Sequence, residues 1–158
     1  MKFFRQAKAA GVHTTLDTRR QYPYTEKGNL FYSKWLELMK YTDLVLLDIK
    51  QIDEEEHIKL TGQSNKNILA MARKLSDMGK PMWIRHVLVP GGSDKDEYLH
   101  RLADFIHTLK TVERVEVLPY HTLGVFKWEQ LGIPYPLEGV RPPSEERINN
   151  AREILGAI

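Results

Sequence analysis

The feature that most restricts this chain is an alternation of short β-branched or aliphatic runs with amphipathic runs of helical period. The strand-like segments are Val12–Leu16 ending at Asp17, Asp43–Leu47 ending at Asp48, Pro81–Val89 closing on Pro90-Gly91-Gly92, and Val115–Leu118 closing on Pro119. Between them, Phe31–Lys40 sets Phe31, Trp35, Leu38 and Met39 at helical spacing. Ser64–Met78 begins at a capping serine, aligns Ile68, Met71, Ala72 and Leu75, and stops at Gly79. Asp94–Lys110 opens with Asp94 and Glu97 in a capping-box arrangement and runs through Leu99, Leu102, Ile106 and Leu109. Pro142-Pro143-Ser144 introduces a last helix with Ile148, Ala151, Leu155 and Ile158 inward. Strands alternating with crossover helices predict a parallel sheet of right-handed βαβ units, an α/β fold.

The 158 residues suit one domain with one core, and 42% hydrophobic with 28% charged residues argues against disorder. A net charge of +2, with basic residues interleaved among acids as in Asp94-Lys95-Asp96-Glu97, leaves no footprint for nucleic acid or anionic lipid. The longest apolar stretches are strand-sized, which predicts no membrane span. Met1–Ala10 lacks the continuous apolar run of a signal peptide, so a cytoplasmic location is expected. There is no cysteine. Disulfides, thiolate nucleophiles, zinc–thiolate sites and cysteine-held iron–sulfur clusters are therefore excluded from these residues. A helix-like opening ahead of the first strand is an odd start for a free-standing fold. It predicts that upstream units are absent and that residues 1–158 form a single incomplete domain. Arg19–Asn29, broken by Pro23 and Gly28, reads as a mobile loop.

Parallel βα folds place ligands at the carboxyl ends of their strands. By strand parity, His13, Thr15 and Asp17 share a face, as do Leu46, Asp48 and Lys50 if the second strand stays extended. Trp83, Arg85, Val87 and Val89 share one in the third strand, and Val117, Pro119 and His121 in the fourth if it runs that far. Taken singly, each residue has a plain structural explanation. Asp17 or Asp48 would cap a helix, Lys50 would be solvated, Arg85 would pair with Asp48, and His121 would be a satisfied structural histidine. Four strand ends that are all polar together point to a small-molecule site. Two carboxylates and a hydroxyl (Asp17, Asp48, Thr18) suit a cation or an ammonium group, whereas Lys50 and Arg85 suit a carboxylate or phosphate. A ligand carrying both ammonium and carboxylate matches the mixture, and Tyr120-His121 offers an edge for a heterocycle.

Longer strings resemble a known family. LLDIKQ (Leu46–Gln51), WIRHVLVPG (Trp83–Gly91) and LPYHTLGVFKW (Leu118–Trp128) are similar to the last strands of pyruvate formate-lyase activating enzymes, which are radical S-adenosylmethionine (SAM) enzymes. HTTLDT (His13–Thr18), LTGQSN (Leu60–Asn65) and EGVRPP (Glu138–Pro143) extend the resemblance from about Gly11 to the end. It implies a partial (β/α) TIM-like barrel, of which this chain would be the last four units of six. It further implies that Asp48, Lys50, Arg85, Val87 and His121 bind SAM. By the same resemblance Asp17, Thr18, Asp48 and the Leu46 carbonyl ligate a monovalent cation.

In the full-length family a [4Fe–4S] cluster, held by a C-x-x-x-C-x-x-C segment, cleaves SAM so that a glycine hydrogen is removed from a glycyl-radical enzyme such as pyruvate formate-lyase. This chain lacks that segment, so it is expected to hold no iron–sulfur ligand and no catalytic residue, and to be redox-inactive alone. Arg19-Arg20 follow the Asp-Thr pair where the family has Asn-Gly or Ser-Gly, which leaves the partner's identity open. Two other readings remain. One is a non-catalytic SAM- or nucleotide-binding module. The other is a half-barrel that self-associates through the exposed edge of its first strand.

Overall fold

Hydrophobic alternation builds one sheet. In the computed structural model, which describes residues 1–18 and 30–157, β1 (Thr15–Thr18), β2 (Leu44–Asp48), β3 (Met82–Leu88) and β4 (Val112–Pro119) pair in chain order. All three pairings are parallel. The helices among these residues are α1 (Lys2–Ala9), α2 (Leu30–Met39), α3 (Glu54–Thr61), α4 (Lys66–Asp77), α5 (Asp96–His107), α6 (Val125–Gln130) and α7 (Glu145–Leu155). The expected α/β architecture of parallel strands and intervening helices is present, and it is consistent with a partial β/α barrel. The Arg19–Asn29 loop and the inward placement of Phe31 and Ile158 lie outside the described residues.

One face of the sheet carries Val45, Leu47, Met82, Ile84, Leu88, Val115 and Val117, all buried. Trp35 and Met39 of α2, Ile68, Met71, Ala72 and Leu75 of α4, Leu99, Leu102 and Ile106 of α5, and Ile148, Ala151 and Leu155 of α7 close over it as a single core. These are the inward positions that helical spacing predicts. On the opposite face Leu46, Trp83, Arg85, Val87, Arg114, Glu116 and Leu118 are half-buried.

Several boundaries differ from expectation, each for a local reason. The first strand is Thr15–Thr18, not Val12–Leu16. The Val12 amide donates to Ala7 O at 2.9 Å, completing the C-terminal turn of α1 around Gly11 at φ 74°, so it is spent before the sheet begins. Thr14 is instead tied to Asp43, which accepts from its amide at 2.8 Å. The chain edge expected at Val12–Leu16 is therefore at Thr15–Thr18, and β4 forms the other edge.

The capping box expected at Asp94 and Glu97 does not form. Asp94 accepts from the Gly91 amide at 2.8 Å, closing the turn after β3, and α5 starts later without a side-chain cap. Asn65 occupies the N-cap position of α4 without a side-chain cap bond, and Ser64, one residue earlier, accepts from the Lys66 amide at 3.2 Å. Ser144 does cap α7, accepting from Arg147 N at 3.3 Å.

Two helices had no counterpart in the sequence reading. Helix α3 is capped by Asp53, whose carboxylate accepts from the Glu55 and Glu56 amides, and it ends at Gly62 in the left-handed region. Those amides and Arg101 hold the Asp53 carboxyl below its ordinary pKa. Helix α6 is a short segment after β4 with no buried residue.

Candidate functional site

Register decides what meets on the open face. Asp17 lies opposite Leu46, Leu46 opposite Trp83, and Trp83 opposite Arg114. Two residues nearer the carboxyl ends, Asp48 lies opposite Arg85 and Arg85 opposite Glu116. The second row carries charge on three adjacent strands, and Arg85 joins both rows. Its Nε donates to Asp48 Oδ1 at 2.7 Å and its terminal nitrogen donates to Asp17 Oδ1 at 2.5 Å. Lys50 Nζ stands 2.8 Å from the other Asp48 oxygen.

The four charges form one network of two carboxylates and two cations. Asp48 is its hub, with a side chain only 9% exposed, while Asp17 at 62% lies out toward solvent. Burial alone would lower the Arg85 pKa, but the hydrogen bond to Asp17 and the charge of Asp48 outweigh it and raise it above the ordinary value. The network explains how a carboxylate is tolerated at the sheet centre: each oxygen has a cationic donor. It also removes one plain explanation of Asp48, because the cap of the following helix is Asp53.

Asp17, Asp48, Lys50 and Arg85 thus converge as parity predicts, and Val87 stands on the same face of β3. Thr18 is buried and Leu46 half-buried. The two carboxylates are bridged by the Arg85 guanidinium, and among the described residues no cluster of three or more His, Asp or Glu side chains has the arrangement to hold a metal ion. His13 lies outside β1, its Nδ1 3.4 Å from the Thr15 hydroxyl.

The parity assigned to β4 is wrong. Val117 faces the helices with Val115, and the open face instead presents Arg114, Glu116 and Leu118. The V-E-V spacing of 115–117 carried the correct signal, because apolar residues alternating with charge must turn toward the core. Extrapolating back from His121 obscured it, since β4 ends at Pro119. Arg114 lies over the Trp83 ring at 4.9 Å, with its Nε 3.1 Å from Glu116 Oε1.

His121 is exposed beyond the strand. Its neighbours Tyr120 and Thr122 line a cleft of about 860 Å³ with Trp128, Tyr135 and Arg141. The Tyr120 and Tyr135 hydroxyls are 2.8 Å apart, and burial with that hydrogen bond pushes the Tyr135 phenol up to about 12.

On the helix side a buried polar group ties the two central strand ends together, and sequence reasoning missed it. His86, 1% exposed, places Nδ1 2.9 Å from Ile49 O and Nε2 3.2 Å from Ser93 O. Burial pushes the ring below its ordinary pKa against the pull of those carbonyls. Gln51 donates to Gly92 O at 2.8 Å, and Asn65 donates to Ile52 O at 2.7 Å. The available signal was a histidine on the apolar parity of β3, between Ile84 and Leu88.

No protein-family model matches the chain. The pyruvate formate-lyase-activating enzyme of Streptococcus mutans serotype c is 56% identical over 153 residues, 96% of this chain and 57% of that protein. The enzyme of the same name from Staphylococcus epidermidis is 54% identical over 150 residues, 95% of this chain and 59% of that protein. The chain thus spans just over half the length of these curated relatives.

Among solved structures, a domain of pyruvate-formate lyase-activating enzyme from Bacteroides vulgatus superposes with a TM-score of 0.75 at 23% identity, covering 98% of this chain and 82% of that one. A radical SAM methyltransferase from Sphaerobacter thermophilus gives 0.63 at 18% identity over 93% of this chain and 39% of that one. At such identities the structures speak for the fold. The sequence relationship rests on the two curated relatives. Across 96% of its length this chain is homologous to the pyruvate formate-lyase-activating enzymes, and its fold is shared with radical SAM proteins.

Proposed function

We propose that this chain supplies the SAM-gripping half of a glycyl-radical activating enzyme whose partner is pyruvate formate-lyase or a related protein. The observation that carries the reading is the self-compensated network of Asp17, Asp48, Lys50 and Arg85 at neighbouring strand ends. A zwitterionic amino-acid group can exchange with such a network partner for partner, leaving no charge unpaired. Asp48 offers its carboxylate to the ammonium group of the methionine part. Lys50 and Arg85 offer cations to its carboxylate, Val87 packs beside it, and exposed His121 is available to the adenine.

Held by these residues, SAM would supply the group that removes a hydrogen atom from glycine. The residues present do not fit the cluster itself, because the chain contains no cysteine. By this reading any cluster ligands belong to sequence outside these 158 residues, and the chain alone is redox-inactive. A monovalent cation at Asp17, Thr18, Asp48 and the Leu46 carbonyl would have to displace Arg85 from its bridge between the two carboxylates. No helix among the described residues is long and apolar enough to cross a membrane, and a cytoplasmic location agrees with the reading.

The coding sequence immediately upstream tests this reading: an in-frame C-x-x-x-C-x-x-C stretch is expected, and its absence would remove the main support. Calorimetry with SAM gives the second test. The chain alone should bind weakly or not at all, for want of the cluster anchor. Tight binding abolished by Asp48→Ala would instead favour a stand-alone nucleotide-binding module. A third reading, self-association, is favoured by the exposed residues of edge strand β1. Light scattering that finds only monomer at high concentration would sink it.

A further inference from the structure

Between Asp48 and Lys50 lies Ile49, whose side chain is fully buried and whose peptide groups are both engaged. Its N–H donates to Arg85 O at 2.9 Å, carrying the β2–β3 ladder one residue past the end of β2. Its carbonyl faces the helix side, where His86 Nδ1 stands at 2.9 Å. His86 is bonded through the backbone to Arg85 but points to the opposite face, so the two side chains grip the same segment from both sides of the sheet. Its other nitrogen faces the carbonyl of Ser93, a fully buried residue whose hydroxyl donates to Val87 O at 2.6 Å and accepts from Val89 N at 2.9 Å. The imidazole therefore lies between the Asp48–Lys50 segment and the turn after β3.

The position is one where packing alone would select an aliphatic residue, as at Met82, Ile84 and Leu88 on the same parity. A buried imidazole has a desolvation cost that only its hydrogen bonds offset. Asp48 and Lys50 are attached to the two sides of the Ile49 residue whose carbonyl His86 holds. Rotation of that peptide would turn the Lys50 side chain away from Asp48.

We propose that His86 is a positioning residue: by hydrogen bonding to the Ile49 carbonyl it fixes the Ile49–Lys50 peptide, and so the aim of Lys50 at Asp48 in the ligand site. The inference rests on the reading of Asp48 and Lys50 given above. Its test is therefore run without ligand, so that the two stand or fall separately. A neutral ring carries one proton for the two facing carbonyls, and the proposal places it on Nδ1, toward the closer one. An asparagine amide nitrogen reaches about as far from the backbone as Nδ1, and a glutamine amide nitrogen about as far as Nε2.

NMR of the full chain, following Lys50 Nζ and the Asp48 carboxyl carbon, compares His86→Leu, His86→Gln and His86→Asn. Both resonances are expected to move in the Leu and Gln variants and to stay within a linewidth of wild type in the Asn variant. A folded Leu variant with both resonances unmoved would overturn the proposal. So would displacement of Asn and Leu alike. If the Leu variant does not fold, the scalar coupling across the hydrogen bond from His86 Nδ1 to the Ile49 carbonyl carbon is read in wild type, where its absence is equally fatal. Failure of SAM to depend on Asp48 would strike only the ligand reading and leave this comparison intact.

Discussion

The two faces of the sheet use the same strands and obey different rules. On the helix side Leu47, Met82, Ile84 and Leu88 are completely buried, and their contribution is removal of apolar area from water. On the open side, one residue along, Asp48 and Arg85 are held by partner charges instead. The first face tolerates rearrangement badly because close packing leaves no alternative. On the proposed reading, the second would exchange its partner charges for those of a ligand. A parallel sheet is normally covered on both sides. Here the half-exposed face retains enough apolar surface, in Leu46, Trp83, Val87 and Leu118, to bury a ligand's hydrocarbon beside its charges.

The sharpest test of that contrast is Leu47→Ala, which should cost about 2–5 kcal/mol in urea unfolding through lost transfer energy and a cavity. Next is Asp48→Ala, expected to cost about 1–3 kcal/mol because it leaves Arg85 and Lys50 facing each other with only the exposed Asp17 to compensate. Equal losses at the two positions would mean that the open face is packed as a second core.

A pH series separates the polar group on the helix side. The folded pKa of His86 lies below the ordinary 6.5 because burial disfavours its charged form. The unfolded chain therefore binds a proton that the native chain refuses. Stability should be full above about pH 6.5 and fall below it, with a slope of at most about 1.4 kcal/mol per pH unit from this group. His86→Asn should flatten that window. Asp53 and Asp96, whose carboxyls are held low by the Glu56 amide and by Arg147 respectively, act in a separate window. Their contributions are present above about pH 4 and are lost as the pH falls through their folded values. The smallest change is expected for Asp17→Ala, at under about 1 kcal/mol in the same urea assay, because that side chain is largely in water.

Much of the fold was legible because period and burial coincide. The apolar positions predicted for α4, α5 and α7 are buried wherever they are described, and the strand runs are found within a few residues of their expected bounds. The convergence of Asp17, Asp48, Lys50 and Arg85 followed from parity alone, since side chains two apart on a strand must share a face. What escaped detection depended on tertiary partners. Helix α3 has a weakly patterned sequence and stands on its Asp53 cap, and α6 buries nothing. His86, Gln51 and Asn65 reach backbone carbonyls up to 41 positions away, a separation that no local pattern encodes. The Val12 error arose from one amide being claimed by the preceding helix, a competition that a strand propensity does not register.

The order of the strands has a kinetic meaning. Every strand pairs only with its neighbours in the chain, so the sheet can grow one unit at a time, without first closing a long loop. Each terminal unit is fastened along one side only, as in a solenoid array. The four-residue β1 is the weaker end, and β3, with seven residues and a partner on both sides, is the anchor. Amide exchange should therefore be graded along the chain, fastest at Thr15–Thr18 and slowest in β3, with the Asp48–Arg85 junction opening later than Asp17. The molecule would come apart by fraying from its first strand inward, while the strand ends that carry Asp48, Lys50 and Arg85 remain assembled.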